Sequence, residues 1–187
     1  MNQFIDLKTY QSMIISLTQK IDLTKLVFLA DVIISTSKNL GRIYTAGNGG
    51  SAALADHMAT DLSFNAVLEN ININCISLTG NTSTITASGN DIGYENIFSR
   101  QIKKYCNKND LIILISASGN SKNLVSAVET AKSLKIRTFS LTAFDGGSLK
   151  KITDYNLHIE TPQGVYGIAE DLHNMVSHMI INEISQR

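Results

Sequence analysis

Two short segments carry hydroxyls and glycines in a pattern suited to holding an anion. Ser116-Ala117-Ser118-Gly119-Asn120-Ser121 follows a continuous apolar run and leads into a helical pattern. Three hydroxyls, a glycine and the unpaired N–H groups of a helix start can surround a phosphate without any lysine or arginine. Ser121 could instead serve only to cap that helix, but a cap needs one hydroxyl and this segment has three. Gly47-Asn48-Gly49-Gly50-Ser51 also lies between a strand pattern and a helix pattern. Its glycines allow backbone N–H groups to approach a ligand closely. Extended by Ala52, it fits the G-x-G-x-x-A dinucleotide fingerprint as well. That fingerprint needs an acid at the end of the next strand. Leu78-Thr79-Gly80-Asn81 contains none, and Glu69 precedes the strand. The anion reading is therefore preferred to the dinucleotide one.

Titratable residues cluster in two helical patterns. His57 and Asp61 are four apart and share a helix face. Glu170 and His178, eight apart on the last helix, also share one. Either pair alone could be a surface ion pair or a core histidine. Together they supply two acids and two histidines, enough for a tetrahedral metal such as zinc. His173 lies off the Glu170–His178 line and reads as a support to that set or as core. His158 falls in a strand pattern and reads as structural.

These residues need elements to position them. Within 6–39, apolar stripes at helical spacing (Leu7, Tyr10, Met13, Ile14, Leu17, then Leu26, Leu29, Ala30, Ile33, Ile34) predict two helices, with Asp22 as the second N-cap and Gly41 as its end. Strands are expected at 43–46, 71–78, 111–115, 137–142 and 155–159. Helices are expected at 51–62, 82–88, 94–105, 121–134 and 165–184. The run Leu111-Ile112-Ile113-Leu114-Ile115 has no polar face, which marks a strand buried on both sides. Strands alternating with helices predict an α/β fold, a doubly wound parallel five-stranded sheet flanked by helices. The ligand site then belongs beyond the carboxyl ends of the strands, in loops 46–51, 79–82, 116–121 and 142–147. No linker or repeat interrupts the pattern, so 1–187 reads as one domain with 1–40 as a helical extension.

Composition narrows the function classes. Hydrophobic residues are 43% and charged residues 17% of the 187, a globular balance. Net charge is zero, which gives no electrostatic reason to bind nucleic acid or an anionic membrane. No apolar run reaches the roughly 18 residues of a membrane span, and Met1 to Lys20 lacks the order of a signal peptide. Cytoplasm is the expected compartment. Cys75 and Cys106 form no CxxC, so neither a disulfide framework nor a thiolate metal site is expected.

The motifs also occur in a recognisable order. Gly47-Asn48-Gly49-Gly50-Ser51, Gly89-Asn90-Asp91-Ile92-Gly93-Tyr94, Phe98-Ser99-Arg100-Gln101, Ser116-x-Ser118-Gly119-Asn120-Ser121 and Leu141-Thr142 with Asp145-Gly146-Gly147 resemble the sugar isomerase (SIS) fold. Within it they are most similar to the bacterial sedoheptulose 7-phosphate isomerases, from about residue 40 onward. The resemblance implies conversion of D-sedoheptulose 7-phosphate to D-glycero-D-manno-heptose 7-phosphate through an enediolate, for heptose-containing surface polysaccharide. It implies phosphate binding by Ser116, Ser118 and Ser121, and sugar binding by Asn48, Gly49, Ser51 and Asp91. It implies zinc on His57, Asp61, Glu170 and His178, with Asp61 or Glu170 as base and His178 as acid. It further implies a homotetramer assembled through the N-terminal helices, with sites at subunit interfaces.

The sequence departs from the family at several of these positions. Asp61 stands for glutamate, Glu170 for glutamine, Asn65 and Ile168 for arginines, and Asn81 for a frequent aspartate. Asp in place of Glu shortens the reach by about one methylene, and a base misplaced by about 1 Å can lose roughly 10²-fold in rate. Glu170 adds a carboxylate on the facing helix, so the expectation is a divergent isomerase. The competing readings are an isomerase of another sugar phosphate, a non-catalytic sugar-phosphate-binding or protein-interaction module, and the sensing domain of a regulator. An interaction module has no need of Asp61 with His57 and His178, and the chain has no DNA-binding segment to support a regulator.

Overall fold

The computed structural model describes residues 5–65, 68 and 71–187. Five strands, β1 (Ile43–Gly47), β2 (Cys75–Ser77), β3 (Leu111–Ser116), β4 (Arg137–Thr142) and β5 (Tyr155–His158), form one parallel sheet in the order β2-β1-β3-β4-β5. The chain steps outward from β1 to β2, then returns to the other side of β1 as β3. The winding reverses there, so a crevice opens between the C-terminal ends of β1 and β3. The Gly47–Ser51 and Ser116–Ser121 loops both leave from this point.

Eight helices accompany the sheet among the described residues: α1 (Leu7–Thr18), α2 (Leu23–Lys38), α3 (Gly50–Phe64), α4 (Thr82–Ile92), α5 (Ile97–Tyr105), α6 (Lys122–Ser133), α7 (Leu149–Ile152) and α8 (Tyr166–Ser185). Every residue of β3 is buried, and its alternation splits the core in two. Leu111, Ile113 and Ile115 pack with α2, α3 and α8, whereas Ile112 and Leu114 pack with α5 and α6. Each N-terminal helix starts on an aspartate: Asp6 accepts from the N–H groups of Lys8 and Thr9, and Asp22 from those of Thr24 and Lys25. The helical pair joins the sheet's own core, since Leu17, Leu26, Leu29, Ala30 and Ile33 share a cluster with Ile168, Leu172, Val176 and Ile180 of α8. Its outer side leaves Leu7 (89% exposed), Ile15 (58%) and Leu23 (58%) in solvent.

Four boundaries differ from the sequence reading, each for a physical reason. The strand expected over 71–78 pairs only at Cys75–Ser77. It is an edge strand, and the Ser63 hydroxyl of α3 binds both the N–H and the C=O of Cys75, covering the open edge. The helix expected at 82–88 runs on to Ile92 and stops at Gly93, whose φ of 87° needs a glycine. Tyr94–Asn96 is a 3-10 turn rather than the first turn of α5. At the end of α2 the left-handed residue is the exposed Leu40 (φ 58°). Gly41 is required for a different reason, since a Cβ there would strike the Asn109 carbonyl. The four-residue α7 was not expected at all.

Candidate active site

Ser116 ends the fully buried β3, and its hydroxyl accepts the Gly119 N–H at 3.1 Å. Ser118 Oγ accepts the Asn120 N–H at 3.3 Å. These bonds curl the loop so that Ser118 and Ser121 are half-buried at the start of α6. Ser121 occupies the N-cap position, yet its side chain makes no capping hydrogen bond. Its hydroxyl is therefore available to a ligand together with the first N–H groups of α6, which have no intrahelical acceptors. The second glycine loop braces this cradle. Ser148 donates to Asn120 Oδ1 from both its N–H (2.9 Å) and its hydroxyl (3.0 Å), and Leu149 N–H reaches the Gly119 carbonyl at 2.9 Å. Gly119 (φ 63°) lies so close to Gly146 that a Cβ would collide with its carbonyl. Asp145-Gly146-Gly147 thus acts on the serine loop by holding its shape.

Across the crevice, Gly49 (φ 56°) turns the chain from β1 into α3 and begins that helix without a side-chain cap. Ser51 is buried in its first turn. Asn48 and Asn123 exchange two amide hydrogen bonds, each 2.9 Å, between the first loop and α6. The Tyr94 hydroxyl donates to Asn48 Oδ1, also at 2.9 Å. Asn123 is absent from the sequence reading of the site, and Tyr94 enters it only as the last residue of the Gly89–Tyr94 motif. Asn123 carried a signal, a polar residue in the helical stripe of Leu124, Ala127, Val128 and Ala131, and it is 2% exposed. Asp91 lies in the last turn of α4, where its carboxylate accepts from Asn90 Nδ2 at 3.1 Å. Asn81 caps α4 by accepting the Thr84 N–H at 2.9 Å, a role that an aspartate would fill equally.

The titratable set divides into two parts. Asp61 Oδ2 lies 3.5 Å from His57 Nε2 and 3.9 Å from His178 Nε2. The two rings stand 5.2 Å apart at 80°, and one ligand atom from each of the three residues falls within 4.8 Å of the others. Glu170, expected as a fourth ligand, is outside this group. It precedes His178 by eight residues of α8, about 12 Å of helix rise. Its carboxylate lies against the start of α3, where it fills the space a Gly50 Cβ would occupy. Burial, then the neighbouring Asp171 carboxylate, raises Glu170 above the usual carboxylate range. The structure therefore brings His57, Asp61 and His178 together and holds Glu170 against the glycine loop at Gly50.

The remaining two histidines lie apart from that cluster, His173 in the core and His158 half-buried on β5. His173 is 1% exposed, with no hydrogen-bond partner on either ring nitrogen. Burial pushes its pKa down to about 4. His158 Nδ1 pairs with Thr142 Oγ1 at 3.1 Å. Ile168, at a position where the resembled family carries arginine, is fully buried against the sheet. Glu69 lies outside the described residues, and no acid follows β2 to take a ribose. A cleft of about 570 Å³ lined by Lys20 and residues 158–162 shares no residue with the loops above.

This arrangement matches known proteins along most of its length. Residues 9–143 match the SIS domain family. The phosphoheptose isomerase of Helicobacter pylori strain P12 is 40% identical over 158 residues, which cover 83% of this chain and 80% of that protein. The probable phosphoheptose isomerase of Thermoplasma acidophilum is 35% identical over 167 residues, 89% of this chain and 91% of that one. Phosphoheptose isomerase GmhA from Neisseria gonorrhoeae superposes with a TM-score of 0.85 at 29% identity, covering 95% of this chain and 97% of its own. The chain belongs to the SIS domain family, in its phosphoheptose isomerase branch.

Proposed function

We propose that the protein interconverts D-sedoheptulose 7-phosphate and D-glycero-D-manno-heptose 7-phosphate in the cytoplasm, supplying heptose for surface polysaccharide. The observation that carries this reading is the uncapped Ser121 hydroxyl in the serine loop, with the raised carboxyl of Glu170 against Gly50 of the glycine loop, in a chain 40% identical to a phosphoheptose isomerase. The three serines and the first N–H groups of α6 hold the phosphate. Asn48 and Ser51 meet the sugar oxygens, with the Gly49 backbone leaving room for it.

The split between Glu170 and the His–Asp cluster separates two roles that one carboxylate fills badly. Glu170 is the base: its raised pKa brings it closer to neutral pH, where a base is most effective. It takes a proton from C1 of the ketose as the C1–C2 double bond forms and the carbonyl electrons move to O2. O2 is protonated, O1 gives up its proton, and Glu170 returns a proton to C2, leaving the aldehyde at C1. His178 is assigned the proton transfers at oxygen through its Nδ1, since its Nε2 is the nitrogen that faces Asp61 in the His–Asp cluster.

His57, Asp61 and His178 fit zinc. Tetrahedral ligands at about 2.0–2.1 Å place donor atoms roughly 3.3 Å apart, close to the 3.5 and 3.9 Å observed. Three protein ligands with an open fourth position are the pattern of a catalytic zinc, and such an ion supplies polarisation of a carbonyl. Glu170 and His178 of one α8 are separated by about 12 Å of helix rise, a spacing that would also let them serve one substrate from neighbouring protomers. The exposed Leu7, Ile15 and Leu23 of the N-terminal pair offer apolar surface for a homotetramer of that kind.

The test is incubation with sedoheptulose 7-phosphate, with zinc, without it and after chelation, followed by NMR of the aldose product. Metal-dependent product is expected. Turnover of a pentose or hexose phosphate in its place would overturn the substrate. Sugar-phosphate binding without turnover at any metal loading would overturn the enzyme.

A further inference from the structure

Asn48 has almost no hydrogen-bonding capacity left, and what remains has one sign. A carboxamide offers two N–H donors and an oxygen with two lone pairs. Asn123 Nδ2 and the Tyr94 hydroxyl both donate to Asn48 Oδ1, each at 2.9 Å, which fills the oxygen. One Asn48 N–H is committed to Asn123 Oδ1 at 2.9 Å. A single N–H is left, on a half-buried side chain between the glycine loop and the serine loop.

We infer that Asn123 and Tyr94 are positioning residues that make Asn48 a donor-only reader, able to recognise an acceptor oxygen on the sugar and unable to accept from a hydroxyl. This rests on the isomerase reading for its substrate, but the polarity itself follows from the hydrogen bonds. The two partners hold the amide from opposite elements. Asn123 is buried on α6, directly after the phosphate loop. Tyr94 comes from the turn after α4 and is 56% exposed. Without them the amide can rotate by half a turn and offer its oxygen. In the isomerisation the carbonyl oxygen gains negative charge on the way to the enediolate. A preorganised donor strengthens its bond over that step and acts on the transition state more than on the bound ketose.

Binding and turnover test this separately. Calorimetry would compare 6-phosphogluconate, whose terminal carboxylate only accepts, with glucitol 6-phosphate, whose terminal hydroxyl also donates. Wild type is expected to favour the acid by about tenfold or more, the worth of a hydrogen bond to a charged group. Asn48→Ala should abolish that preference and Tyr94→Phe should reduce it. Tyr94 is exposed, so its variant should fold normally. In turnover of sedoheptulose 7-phosphate, Tyr94→Phe is expected to lower kcat about tenfold with KM nearly unchanged, and to add nothing in an Asn48→Ala background. Equal preference in all three proteins, or losses from the two substitutions that multiply, would overturn the inference. A wild type that shows the preference but never turns over would remove the isomerase reading and leave the polarity of Asn48 standing.

Discussion

The phenol of Tyr10 on α1 donates to the Asp171 carboxylate on α8 at 2.5 Å, across 161 positions of sequence. Burial, then the bond to Asp171, pushes Tyr10 up to about 12, so it remains a donor throughout the working pH range. The same hydroxyl lies against Gly167, where an added Cβ would sit 3.1 Å from it. The first helix is thereby pinned over the first two turns of α8, the second of which carries Glu170. Tyr10→Phe removes one charge-assisted bond at a solvated site. The loss should be about 1 kcal/mol, below the full value for a charged acceptor because water screens it. A melting temperature about 2–4 °C lower is expected. An unchanged melt would mean that α1 is held by apolar packing alone.

Gly50 and Glu170 give a cleaner separation of activity from stability. A Cβ at Gly50 would collide with the carboxylate end of Glu170, which is flexible enough to swing away. Gly50→Ala should therefore displace the proposed base at little cost to folding, since alanine favours the helix it would enter. A fall in kcat of about 10²-fold is expected for a displacement near 1 Å, with the melting temperature held or slightly raised. Full activity in a folded Gly50→Ala protein would exclude Glu170 as the base.

Ser121 makes a similar contrast. An N-cap serine that bonds the helix loses about 1 kcal/mol when replaced by alanine. Ser121 makes no such bond, so Ser121→Ala should melt with wild type. Its KM for the sugar phosphate should rise several-fold. A destabilised variant with unchanged KM would return Ser121 to the role of a plain cap.

Much of this was legible in the sequence, and the failures share a cause. Strand β3 announced itself because burial on both faces leaves no polar position, and the serine loop was visible at its end, although the sequence did not show that Ser116 and Ser118 bond the backbone of their own loop. What short-range pattern could not show was pairing between distant loops. Asn123 interrupts an apolar helical stripe, but only the fold shows that it lies against Asn48. Gly146 reads as a turn glycine until Gly119 packs on it. Glu170 and His178 do share a helix face, as their spacing says, but that spacing also puts about 12 Å between them along the axis, which sets the proposed base apart from the proposed metal ligands.

The His57–Asp61–His178 cluster predicts a stability signature that does not depend on catalysis. A ligand that binds only the folded chain stabilises it by about 2.7 kcal/mol at a hundredfold excess over Kd. For a chain of this size that is a rise of roughly 5–10 °C in melting temperature. Zinc should produce it in wild type and not in His178→Ala. A wild-type melt indifferent to zinc would remove the metal from the site.

His173 makes the fold acid-sensitive. Its pKa is pushed from the ordinary 6.5 to about 4 by burial in the core, with His158 lowering it further and Thr142 opposing. Between those two values the unfolded chain binds a proton that the folded chain refuses, so stability rises with pH there. The contribution is complete above about pH 6.5 and is lost as pH falls toward 4, by about 3 kcal/mol in all. His158 is also lowered by burial and acts with the same sign. Glu170, raised by burial, acts with the opposite sign, its contribution fading as pH rises through its folded pKa. Urea unfolding from pH 7 to 4.5 should show falling stability in wild type and a flatter profile in His173→Met. Because both ring nitrogens of His173 are buried without partners, the methionine should cost little at pH 7, where an apolar side chain of similar size replaces an unsatisfied one. If the variant kept the full acid slope, the sensitivity would have to come from other groups.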